Sequence, residues 1–154
     1  MGRGRPAKAV PEVSEATIGL VKEIGRGYEK MKSICDFIPK KRVSLFTRMK
    51  VSTERYRETG CVDYDRIALE RIHPEDQKVV KGYEEKMRNI WLLEHGIAAI
   101  PDDRTRAIAK ETLLGGKRTE EMSQRYGISR RTAFRERDRA IRCVAGFIEN
   151  HAGN

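Results

Sequence analysis

Six arginines stand between positions 130 and 142: Arg130, Arg131, Arg135, Arg137, Arg139 and Arg142, against only Glu136 and Asp138. A guanidinium is a rigid planar fork of donors, suited to paired hydrogen bonds with phosphate oxygens and with the O6 and N7 edge of guanine. The bland alternative is a surface helix laced with ion pairs, but such faces usually alternate lysine with glutamate. Charge over the whole chain points the same way. Its 32 lysines and arginines outnumber 23 acids for a net charge of +9, which favours a polyanionic partner. Charge by itself leaves DNA, RNA and anionic lipid open.

Other chemistries find little support. His73, His95 and His151 are scattered, and no His or Cys pair has the spacing of zinc ligands. Cys35, Cys61 and Cys143 are odd in number and far apart, as expected of reduced thiols in cytoplasm. Glycine-rich phosphate loops, nucleophile elbows and clustered acid pairs are missing, so the sequence predicts no enzyme, cofactor or metal. A recombinase would need a catalytic serine or tyrosine beside an arginine cluster, and the N-terminal half offers no clear candidate. No apolar run approaches the length of a membrane span, and no signal-peptide pattern follows the basic start. The expectation is a cytoplasmic protein near the nucleoid, away from membranes. Arg3-Gly4-Arg5-Pro6 matches the core of an AT-hook, which lays arginines in a narrow minor groove. A nonspecific cationic tail would also gain from phosphate attraction.

The elements that must hold these residues read as helices. Apolar residues make up 38% of the chain and aromatics only 6%, so the core must be lean and strands few. The sequence predicts an all-α protein in three parts: a disordered basic tail at 1–12, a helical module at 13–96, and a helix-turn-helix at 97–150. In the middle part, Ser14 caps a first helix carrying Ile18, Val21, Tyr28 and Met31 despite Gly19, Gly25 and Gly27. Val43, Phe46 and Met49 or Lys50 suggest a short second helix, and Ile67, Ala68 and Ile72 a third. Pro74, Glu75 and Asp76 open a longer one, with Val80, Tyr83, Met87, Ile90 and Trp91 inward and Gly96 closing it. Its broad apolar stripe suggests a homodimer or partner interface in the 13–96 module, leaving 97–150 to read DNA alone.

In the last part, Asp102 and Asp103 open a helix that Gly115-Gly116 ends, and Thr119 is a candidate cap for the next, with Met122 and Tyr126 inward. Small Ser123, then Gly127, apolar Ile128 and Ser129 as the cap of a basic helix make a sharp corner between two packed helices. Ala133, Ala140, Ile141, Val144 and Ile148 form the buried stripe of that basic helix.

Ile97–Val144 resembles region four of bacterial sigma factors, and more closely the RinA and ArpU group of phage late-gene regulators. The resemblance is carried by Ile-x-x-Ile-Pro-x-x-x-x-Arg, Gly116-x-x-Thr-Glu-Glu-Met, Gly127-Ile-Ser-Arg-Arg-Thr and the closing Arg-Ala-Ile. It implies promoter recognition on double-stranded DNA, with Arg130, Arg131, Phe134 and Arg135 facing the major groove and RNA polymerase as a further partner. Ser129, Thr132, Arg139 and Arg118 complete the candidate interface, with Arg3 and Arg5 if the tail is a hook. Two positions depart from the family pattern: Ser123 replaces the usual alanine, and Glu136 falls where an apolar residue is expected. A phage DNA-packaging adaptor, recognising packaging-site DNA as a ring, is the alternative from another class, although such proteins usually place the DNA-binding module first.

Overall fold

A computed structural model of the chain describes residues 12–36, 40–50 and 53–152. The protein is all-α. Helix α1 (Glu15–Asp36) is followed by three short helices, α2 (Lys40–Arg48), α3 (Thr53–Thr59) and α4 (Arg66–Glu70), and by the long α5 (Pro74–Ala98). Helix α6 (Asp103–Ala109) runs into a π-helical turn at Lys110–Leu114, and α7 (Thr119–Tyr126) and α8 (Arg130–Ala152) complete the chain. Among the described residues, no helix is long and apolar enough to cross a membrane.

Local chemistry accounts for most of the starts. The Thr17 N–H donates to Ser14 Oγ at 3.2 Å, the Ala68 N–H to Asp65 Oδ1 at 3.1 Å, and the Thr105 N–H to Asp102 Oδ2 at 2.9 Å. His73 caps α5 through Nδ1, which accepts from the Glu75 N–H, with Pro74 in the first turn. Thr119 is not a cap. Arg118 holds that position without a side-chain bond, and Thr119 is buried as the first helical residue.

The main core lies where α1, α5 and α8 meet. Ile18, Val21 and Ile24 pack with Trp91, Leu93 and Ile97 and with Ala140, Ile141, Val144, Ala145 and Ile148. All five residues of the basic helix's expected stripe are buried. Gly96, expected to end α5, instead sits inside it and is buried. A Cβ there would lie 2.9 Å from Val144 Cγ1, so the glycine permits the close approach of α8. One core therefore crosses the 96/97 boundary, and no break in packing coincides with it. The three glycines of α1 are likewise accommodated, with Gly25 facing Leu113 of the π-helical turn.

A second cluster joins Leu45, Met49, Val62, Tyr64, Leu69 and Val80. It corrects the faces of two short helices. Met49 points inward as expected, but Leu45 takes the place expected of Val43, which is half exposed; Leu69 is buried while Ile67 is 65% exposed. Helices as short as α2 and α4 carry too few apolar residues to define a face by periodicity.

Candidate nucleic-acid interface

The corner between α7 and α8 is set by backbone geometry. Gly127 takes φ 62° and ψ 36°, the left-handed conformation that glycine reaches without a Cβ penalty. Its N–H and that of Ile128 both donate to the Ser123 carbonyl, the latter at 3.0 Å. Ile128 then packs, half-buried, on a small cluster of Ile108, Met122 and Ala133. Ser129 starts α8. Its Oγ accepts the Thr132 N–H at 3.0 Å while its hydroxyl donates to Thr132 Oγ1 at 2.8 Å.

From that start, α8 has two different halves. Ile141, Val144, Ala145 and Ile148 are enclosed by α1 and α5, whereas the first three turns project an open face. At 3.6 residues per turn, Arg130, Arg131, Phe134, Arg135, Asp138 and Arg142 share an arc of about 140°. The arc is about 18 Å long, so it can lie along a major groove about 12 Å wide. Phe134 is 43% exposed, a large apolar ring on an otherwise charged surface, with the Arg130 guanidinium 5.8 Å from its centre.

The candidate residues are not equivalent within this arc. Among the described residues Arg131 and Arg135 have no ion-pair partner. Arg142 is held by Asp138 at 3.1 Å. Arg118 and Arg130 approach one carboxylate, Glu120, at 3.7 and 3.4 Å, which brings the loop before α7 alongside the start of α8. Glu120's own backbone N–H, and then Arg118 and Arg130, hold that carboxyl below its ordinary range and keep it ionised. Thr132 is tied up with Ser129. Arg139 leaves the face altogether: it is 21% exposed and pairs with Glu136 at 3.1 Å. Arg3 and Arg5 lie outside the described residues.

Glu136 explains itself once its neighbours are known. It is 3% exposed, and it accepts from Arg104 at 3.2 Å, from Arg139, and from the Thr105 hydroxyl. That hydroxyl lies between the Asp102 and Glu136 carboxylates and can donate to one at a time. Burial pushes the Glu136 carboxyl up, but Thr105, Arg104 and Arg139 together hold it below its ordinary value. The acid at an expected apolar position is thus the hub of a polar bridge between α6 and α8. The sequence signal for it was the departure itself, an acid within the buried stripe. Glu111 makes a second polar tie, between the π-helical turn and α7, accepting from the Tyr126 hydroxyl at 2.8 Å and pairing with Arg125. Among the described residues no group of His, Cys, Asp and Glu could hold a metal ion.

Lys117 to Arg142 contains nine cations and four acids, more than half of the chain's net charge of +9. Comparison with family models, with curated proteins and with solved structures finds no match for this chain.

Proposed function

We propose that the protein is a sequence-specific DNA-binding transcriptional regulator that reads double-stranded DNA with the first three turns of α8, in the manner of phage and prophage late-gene activators. The observation that carries this reading is the open arc of Arg130, Arg131, Phe134 and Arg135 on a capped helix whose other half is buried in the core. A rigidly rooted helix can present donors to base edges at fixed positions, which a mobile basic segment cannot. Arg131 and Arg135, free of ion pairs among the described residues, are the base-reading arginines; Phe134 offers apolar contact to thymine methyls; Arg118 and Arg130 serve phosphate. Activation at a promoter, with RNA polymerase as partner, follows from the family resemblance.

Selection of bound duplexes from a random pool, followed by titration of the selected site, tests the reading. Arg131→Ala and Arg135→Ala should each cost about 1–3 kcal/mol on the selected site, and much less on scrambled DNA. Equal losses on both duplexes would reduce the two residues to phosphate contacts. Failure to enrich any sequence would overturn sequence-specific reading.

A further inference from the structure

Behind the exposed arc, α1, the π-helical turn and α8 enclose a groove of about 240 Å³ lined by Lys22, Gly25, Arg26, Glu29, Gly116 and Arg137. Lys22 and Arg26 are one turn apart on the exposed side of α1, and Arg137 reaches the groove from α8. None of the three cations has an ion-pair partner among the described residues, and Glu29 is the one acid among the groove's lining residues. Cations gathered in a concavity repel one another and focus a positive potential there, a site that favours a bound anion. The arginine-rich arc explains none of this, because Lys22 and Arg26 belong to the helix farthest from it in sequence.

The position of the groove says which anion fits. Arg137 lies seven residues beyond Arg130, two turns along nearly the same line of α8 and about 10 Å away. Gly116, on the groove's rim, leads directly into Lys117 and Arg118, and Arg118 shares Glu120 with Arg130. A continuous cationic track therefore runs from the reading arc through the loop before α7 to α1. Along α8 the stretch from Arg130 to Arg137 covers about 10 Å, room for more than one phosphate of a strand.

We propose that this groove seats the DNA backbone, so that Lys22, Arg26 and Arg137 are phosphate contacts and α1 belongs to the DNA footprint. The inference rests on the DNA-reading role of α8, and the test separates the two. Affinity of the full chain is measured against salt on selected and scrambled duplexes, for wild type, Lys22→Gln, Arg26→Gln, Arg137→Gln and the triple variant. Lys81→Gln, on α5 beside Tyr64 and Arg66, is the charge-matched control. Each groove variant should flatten the slope of log K against log salt by about 0.9 and weaken binding roughly fivefold at 0.15 M salt, equally on both duplexes. Lys81→Gln should do neither, and Lys22→Arg and Arg26→Lys should restore binding. Groove variants that fold, bind and keep the wild-type slope overturn the groove while leaving the reading helix intact. A wild-type chain that binds no duplex overturns both. Titration with inorganic phosphate and with ATP addresses the other source of phosphate: tight ATP binding lost in Arg26→Gln, with DNA affinity unchanged, would make the groove a nucleotide site and overturn the backbone assignment.

Discussion

Glu136 shows how a single buried charge can set where a recognition surface points. Its carboxylate is satisfied by Thr105 and Arg104 from α6 and by Arg139 from α8 itself, so it fixes the rotation of α8 against α6. Removing one partner of a fully buried pair costs about 3–5 kcal/mol; here the Arg104 side chain is 43% exposed, so Glu136→Gln should cost about 2–3 kcal/mol. The pH dependence has a definite sign. The folded carboxyl titrates below its ordinary 4.5, so its contribution is full above that value and is lost as pH falls through the lower, folded one. The stability gap between wild type and Glu136→Gln should therefore be constant near neutrality and narrow below about pH 4.5. Thermal melts of both proteins from pH 7 to pH 3 measure it. A gap that widens in acid would show that the carboxyl is not held in its charged form.

Two glycines decide how the helices meet, and they do so by different means. At Gly127 the constraint is conformational: nothing lies within 4 Å of a Cβ, but φ is +62°. Gly127→Val should destabilise the protein by about 1–2 kcal/mol or more and weaken DNA binding through a residue that touches no DNA, while Gly127→Asn should lose much less. At Gly96 the constraint is space, since a Cβ would meet Val144 Cγ1 at 2.9 Å; Gly96→Ala should cost about 1–3 kcal/mol by forcing α5 and α8 apart. Denaturant melts and duplex titrations of the three variants distinguish strain from overpacking. The sequence made the first glycine legible and hid the second. Gly127 stands between an amphipathic turn and a Ser-capped helix, a local pattern, and the buried stripe of α8 was equally plain from its spacing. Gly96 has the same local signature as a helix terminus, and only the partner helix, about fifty residues further on, shows otherwise. Glu136 was visible as an acid at an expected apolar position, but its partners on α6, like the cationic groove on α1, were illegible for the same reason, since each is assembled from residues on helices far apart in sequence.

At the scale of the whole molecule, the basic helix is shared property. Its first turns face outward, but Ile141, Val144, Ala145 and Ile148 sit in one core with Ile18, Val21, Leu93 and Ile97. The sequence suggested that residues 97–150 would fold and read DNA alone, with the α5 stripe free to form an interface. In the structure Val80 and Met87 of that stripe pack in the second cluster and Trp91 in the main core, where Leu93 and Ile97 of α5 also meet α1 and α8. Cutting between 96 and 97 would expose both sides of this contact, at about 1.5–3 kcal/mol for each large side chain returned to water. A fragment of residues 97–150 should therefore lose cooperative unfolding and, with it, the discrimination between selected and scrambled duplexes. The intact chain should unfold as one unit. Trp91, the chain's single tryptophan, reports on the shared core, since its ring lies 6.0 Å from that of Phe147 and its indole N–H donates to the Arg57 carbonyl at 3.2 Å. Its fluorescence and the helical circular dichroism signal should follow a single urea transition with coincident midpoints. Separate midpoints, or a 97–150 fragment that melts cooperatively and keeps its sequence preference, would instead divide the molecule into two independent modules.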